Sequence, residues 1–146
     1  MTKAIYFDMD GTIANLYAVE GWLAMLRAFD PSPYKMAAPL VNMNSLARKL
    51  NALQRQGWHI GIVSWLSKES NDSYDAAVTK AKMEWLNKHL RSVHFDEYNF
   101  LPYGVPKQDR VKFPAGILFD DEQRNRENWN GTAYDVDEIL ETLRGL

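Results

Sequence analysis

Short apolar runs separated by segments of helical period predict an α/β fold, a doubly wound parallel sheet with helices packed on it. Three observations carry the prediction. The runs at 3–8, 58–63 and 117–119 read as buried strands, bounded by turn-forming residues. Between them lie stretches whose leucines and alanines recur at helical spacing. The three runs end at polar residues, Asp8, Ser64 and Asp120, where an open parallel sheet gathers its ligands beyond the carboxyl ends of its strands.

In chain order, the first strand, 3–8, leads into a turn that holds Asp8 and Asp10 before Gly11 and Thr12. Residues 14–43 read as a small insertion over that turn rather than a core layer. Within it, Trp22, Leu23, Leu26 and Phe29 give 20–29 one apolar helical face, and Asp30-Pro31-Ser32-Pro33 stops the helix because proline cannot continue it. Asn44 or Ser45 caps the next helix, which carries Leu46, Leu50 and Leu53 and stops at Gly57. The second strand, 58–63, ends at Ser64-Trp65, and a polar linker leads to a long helix over 74–90. Val93-His94-Phe95 reads as a short third strand, open to continuation by 98–101, and 107–112 as a single helical turn. Ile117-Leu118-Phe119 is the fourth strand and 131–133 a weak fifth. Asp135 and Glu138 form a capping box for the last helix.

The bulk properties set limits. A chain of 146 residues fits one domain, 1–146, with a core of its own. Apolar residues make up 46% and charged residues 25%, as in an ordinary globular protein. A net charge of -2 gives no electrostatic case for a nucleic-acid or membrane surface. The absence of cysteine excludes disulfides, thiolate chemistry and Cys-ligated zinc. No apolar run approaches the roughly 20 residues that span a bilayer, and no signal-peptide pattern precedes the first strand. The expected location is cytoplasmic.

Two carboxylates on one buried strand end repel each other unless a cation or proton lies between them. Asp120 and Asp121 bring the acids of the predicted crevice to four, a set of oxygen donors suited to magnesium. Lys107, in the loop before the fourth strand, adds a fixed positive charge. Phosphoryl transfer needs such parts: a nucleophile, charge to neutralise phosphate oxygens, and an acid for the leaving oxygen. Asp8, Asp10, Ser64, Lys107 and the Asp120–Asp121 pair fill each role once.

These residues also match a known pattern. Phe7-Asp8-Met9-Asp10-Gly11-Thr12 resembles the first motif of the haloacid dehalogenase-like (HAD) hydrolases, Val63-Ser64 the second, Lys107 the third and Phe119-Asp120-Asp121 the fourth. The resemblance implies a three-layer Rossmann-like sheet with a small cap after the first strand. It implies a magnesium-dependent phosphomonoester hydrolase with Asp8 as nucleophile and metal ligand, and Asp10 as general acid and base, its backbone carbonyl also on the metal. Ser64, with Gly11 and Thr12 and with Trp65 beside it, would hold the phosphate. Lys107 would stabilise its charge, and Asp120 and Asp121 would complete the metal site. The implied partner is a small phosphorylated metabolite. The short cap is similar to the 5'-(deoxy)nucleotidase-like branch, which points to nucleoside monophosphates, with Tyr17, Trp22, Tyr34 and Trp65 as aromatic residues able to stack on a base. The fourth motif continues Glu122-Gln123, which departs from many nucleotidases.

Plainer readings compete with these. Acidic strand ends are common turn and cap residues, and most lysines are simply solvated. Trp58 and Trp85 read as core residues, and Trp22 as packing under the cap. His59, His89 and His94 are not spaced as metal ligands. A receiver-like phosphoacceptor switch, or a partner-binding module on the same fold, is the alternative to an enzyme. Receivers, however, carry their phosphoacceptor on a middle strand and lack Asp-x-Asp-Gly-Thr.

Overall fold

The computed structural model describes residues 3–146, and its centre is a five-stranded sheet built around the first strand. The strands of this sheet, in chain order, are β1 (Ala4–Phe7), β4 (His59–Trp65), β5 (Glu97–Leu101), β6 (Ile117–Phe119) and β7 (Thr132–Tyr134). Two further short strands, β2 (Ala14–Asn15) and β3 (Ala38–Pro39), pair antiparallel beside it. In space the order is β5-β4-β1-β6-β7, with every neighbouring pair parallel. Parallel neighbours need crossovers, and helices supply most of them. The helices are α1 (Trp22–Arg27), α2 (Ser32–Met36), α3 (Met43–Arg55), α4 (Asp72–His89), α5 (Gln123–Asn128) and α6 (Ile139–Arg144). The order of connection reverses at β1, between β4 on one side and β6 on the other. Such a switch point opens a crevice beyond the strand ends.

Alternation along the strands divides the core. Ile5, Phe7, Ile60, Ile62 and Phe119 meet Leu46, Leu50 and Leu53 of α3, Leu86 of α4, and Ile139 and Leu143 of α6. On the opposite face Ala4, Tyr6, Val63 and Leu118 pack with Trp129, just past α5, and with Val105, Val111 and Phe113 of the loop before β6. No helix of the described residues is long and apolar enough to cross a membrane.

Several local expectations change. Val93-His94-Phe95 is not a strand. Val93 N–H closes a turn onto Leu90, and pairing with β4 begins only at Asp96. The buried–exposed–buried pattern of 93–95 mimics a strand because both apolar residues drop into the core from a loop. The prolines do not end α1. It stops at Arg27 through a left-handed Phe29 (φ 57°), with Phe29 N–H bonded to Leu26 and Asp30 N–H to Met25. Pro33 sits in the first turn of α2, where its missing N–H costs nothing. The cap of α3 is Asn42, whose side chain accepts from Ser45 N–H at 3.0 Å, rather than Asn44 or Ser45. The Asp135–Glu138 capping box is present and opens a 3-10 turn that runs into α6. Trp85 is buried, whereas Trp58 is half-buried at the edge of the main cluster.

The segment 14–43 is tied to the body more firmly than a simple overlay. Leu16 and Tyr34 share a buried cluster with Leu66 and with Tyr74, Val78 and Ala81 of α4. Trp85 Nε1 donates to the Ala37 carbonyl at 2.7 Å. α1 by contrast buries no residue.

Candidate active site

The turn after β1 builds the site. Asp8 still belongs to the sheet through its N–H, which donates to the Phe119 carbonyl at 2.9 Å. The chain then folds back on itself: Gly11 N–H donates to Ala14 and Thr12 N–H to Met9. Gly11 adopts φ 81°, a left-handed conformation that favours glycine, and a Cβ there would collide with the Asp121 carboxylate. That residue is therefore what lets the β1 and β6 turns approach each other.

Thr12 joins them. Its fully buried hydroxyl donates to Asp8 Oδ2 at 2.8 Å, lies 3.3 Å from Asp121 Oδ1, and accepts from Asp121 N–H at 3.1 Å. The N–H groups of Gly11 and Thr12 and the Thr12 hydroxyl are thus spent inside the protein, so these two residues shape the site rather than present donors to a phosphate.

Asp8, Asp120 and Asp121 each bring a carboxylate oxygen within 4.8 Å of the others. Lys107 reaches this group from the 3-10 turn Lys107–Asp109, which puts its Nζ 3.0 Å from Asp8 Oδ1 and 2.6 Å from Asp120 Oδ2. It is almost fully buried, and its third N–H has no partner among the described residues. Asp120 is further fixed by Glu122 N–H at 2.9 Å and Asn125 Nδ2 at 3.2 Å.

Asp10 points elsewhere. Its Oδ2 accepts from Lys82 Nζ at 2.9 Å. Lys82, on α4, also donates to Ser64 Oγ at 2.8 Å and to the Trp65 carbonyl at 2.7 Å. Ser64 does end β4 as expected, but it exposes no surface and lies against Lys82 rather than on the crevice lining. Lys82 was not foreseen. The signal was available: Val78, Ala81, Lys82 and Trp85 form one i, i+3, i+4, i+7 stripe, and a lysine within such a stripe must find a buried partner.

 The crevice above these groups has a volume of about 610 Å³. Its floor is Asp8, Asp10, Lys107, Asp120 and Asp121, and Tyr17, Trp22, Tyr34, Trp65 and Tyr103 are among its walls. Trp65 is held rigidly. Its Nε1 donates to the Val105 carbonyl at 2.8 Å, Tyr103 leans on it at 4.9 Å, and the cations of Lys107 and Arg124 each lie 5.2 Å from its ring centre. Trp22 is half-buried and packs edge-on against Tyr17 at 5.1 Å.

The electrostatics follow from this packing. Four carboxylates, those of Asp8, Asp10, Asp120 and Asp121, face two ammonium groups, those of Lys82 and Lys107, an excess of two negative charges when all four acids are ionised. Burial pushes Asp120 up to about 6, and the charge of Asp8 adds to this against the pull of Lys107. Asp121 is raised for the same first two reasons. Burial also raises Asp10, with Lys82 opposing and Asp8 reinforcing the shift. Lys107 is shifted upward: burial disfavours its charge, but Asp8 and Asp120 more than compensate. Hard oxygen donors carrying two uncompensated negative charges fit a divalent cation such as magnesium.

No protein-family model matches the sequence, and neither does any curated protein. Solved structures do match. A D,D-heptose 1,7-bisphosphate phosphatase from Burkholderia thailandensis superposes with a TM-score of 0.61 at 10% identity, covering 99% of this chain and 97% of that one. The D,D-heptose 1,7-bisphosphate phosphatase from B. bronchiseptica, solved with magnesium and phosphate, gives 0.57 at 13% identity, covering 99% of both chains. The fold is the Rossmann-like α/β fold that these structures share. At such low identity the likeness concerns the fold, and the chemistry has to be argued from the site itself.

Proposed function

We propose that the protein is a magnesium-dependent phosphomonoester hydrolase that works through an aspartyl-phosphate on Asp8. The observation that carries this reading is the convergence of Asp8, Asp120, Asp121 and Lys107 at the switch point of the sheet, with Asp10 held separately by Lys82. The magnesium and phosphate bound by the B. bronchiseptica phosphatase support it.

Asp8, Asp120 and Asp121 would hold the cation, with the Asp10 carbonyl as a further ligand; when bound, it supplies positive charge to the phosphate oxygens. An oxygen of Asp8 attacks phosphorus, and the bond to the leaving oxygen breaks as Asp10 delivers a proton to it. Asp10 then takes a proton from the water that attacks phosphorus, the bond from phosphorus to the Asp8 oxygen breaks, and inorganic phosphate leaves with Asp8 restored. Lys107 offers its uncommitted N–H to a phosphoryl oxygen.

As substrates we propose nucleoside monophosphates, because Tyr17, Trp22, Trp65 and Tyr103 offer a flat group several aromatic faces. Heptose bisphosphate, named for the two similar structures, is the competing ester.

The test is phosphate release from an aryl phosphate, with and without magnesium. Asp8→Asn is expected to abolish turnover while leaving the fold intact, and full activity in that variant overturns the mechanism. Repeated turnover also separates a hydrolase from a receiver-like switch, which holds its phosphate. A screen of nucleoside monophosphates against sugar phosphates decides the substrate.

A further inference from the structure

Lys82 exposes no surface, yet it carries a charge. Removing an ammonium group from water is unfavourable unless its hydrogens find acceptors and its charge a partner. Here three acceptors surround it: Asp10 Oδ2 at 2.9 Å, Ser64 Oγ at 2.8 Å and the Trp65 carbonyl at 2.7 Å. The Tyr34 ring closes another side, its centre 5.0 Å from Nζ. An ammonium group has three N–H donors, and all three are spent. Lys82 is also absent from the crevice lining, so no donor remains for a phosphate.

Its effect must therefore pass through what it holds. Asp10 sits in the turn after β1, whereas Ser64 and Trp65 end β4. Lys82, from α4, ties these two strand ends together. Asp10 Oδ1 has no partner among the described residues, and the Asp10 side chain is 15% exposed and lines the crevice. A carboxylate anchored at one oxygen presents the other in a fixed direction. Proton transfer to a leaving oxygen needs that direction, because the donor must come within about 2.6–3.2 Å of its target.

We propose that Lys82 is a positioning residue, which anchors Asp10 Oδ2 to the end of β4 so that Oδ1 faces the departing oxygen of the substrate. The inference rests on the phosphatase reading and deepens it, since it assigns the leaving-group step to an Asp10–Lys82 pair.

The test compares phenyl phosphate, whose leaving oxygen needs a proton, with 2,4-dinitrophenyl phosphate, whose leaving oxygen does not. The parameter is kcat/KM, which ends at departure of the leaving group and so excludes the later role of Asp10 as base. Lys82→Met is expected to lower kcat/KM about 100-fold for phenyl phosphate and less than about threefold for the dinitrophenyl ester. A merely structural role would lower both alike, and equal losses overturn the inference.

Lys82→Met alone leaves Asp10 buried without its partner, so a second comparison guards against a folding failure. Asp10→Asn and the double variant Asp10→Asn, Lys82→Met are expected to agree within about twofold on both esters, because Lys82 acts only through Asp10. A further loss of about tenfold or more in the double variant overturns the inference. Absence of magnesium-dependent turnover in the wild-type protein is a different result: it overturns the phosphatase reading, and the role of Lys82 with it.

Discussion

Thr12 shows how much a single hydroxyl can organise. It donates to Asp8 of the β1 turn, lies 3.3 Å from the Asp121 carboxylate of the β6 turn, and accepts from the Asp121 N–H. Valine has nearly the same shape without these bonds, and Thr12→Val would leave Asp8 Oδ2 short of a donor and the Asp121 N–H short of an acceptor. The expected cost is about 1–3 kcal/mol of stability, the usual penalty for stranding buried polar groups. Urea unfolding measures it, with an unchanged m-value showing that the native state is otherwise intact. Thr12→Ser should restore most of the loss. The acids were legible in the sequence because their chemistry restricts residue type and position together: Asp8, Asp10, Asp120 and Asp121 all reach the crevice. The hydrogen-bond duties of Thr12 were not legible. Sequence shows that a hydroxyl is present, but only the approach of the β1 and β6 turns shows that it is already spent.

At the level of elements, the loop that carries Lys107 is held by a polar network behind the sheet. Glu97, at the start of β5, accepts from Tyr6 Oη at 2.6 Å, Asn99 Nδ2 at 2.7 Å and Lys112 N–H at 3.1 Å, and lies 2.7 Å from His59 Nε2. Tyr6 Oη in turn accepts from Phe113 N–H at 3.0 Å. Burial pushes the Glu97 carboxyl up, but these hydrogen bonds outweigh it and hold the group below its ordinary value of 4.5. A depressed carboxyl stabilises the fold above its unfolded pKa, and that contribution is lost as the pH falls through the folded value. Wild-type stability should therefore fall more steeply than that of Glu97→Gln below about pH 4.5, with the two curves converging in acid. Chemical denaturation at a series of pH values reads the difference, and parallel curves would remove Glu97 as the source. The mistaken strand at 93–95 belongs to the same region. Periodicity identified Val93 and Phe95 as buried, which they are. It could not show that the ladder with β4 begins at Asp96, where the Asp96 carboxylate and N–H both bond to Ile60.

For the whole molecule, the sheet order decides what the local motifs can become. Strands β1 and β6 are neighbours only because the connections reverse at β1, and this adjacency brings Asp8 within reach of Asp120 and Asp121. Alternating strands and helices were readable from apolar periodicity, but adjacency was not, since it depends on contacts between distant parts of the chain. The result is a site whose four carboxylates, once ionised, exceed its two ammonium groups by two charges, which a divalent cation would offset. Magnesium should therefore stabilise the folded protein by mass action, by about 2.7 kcal/mol at a hundredfold excess over its dissociation constant. For a chain of this size that corresponds to a rise in melting temperature of roughly 5–10 °C. Asp120 and Asp121 are both raised, so in the absence of metal they favour protons, and magnesium must displace those protons to bind. The magnesium-induced rise should consequently grow as the pH rises and the Asp120–Asp121 pair gives up its protons. Asp120→Asn combined with Asp121→Asn should remove both the rise and its pH dependence. Thermal melts with and without magnesium at several pH values check this, and a rise that persists in the double variant would place the cation somewhere other than this crevice.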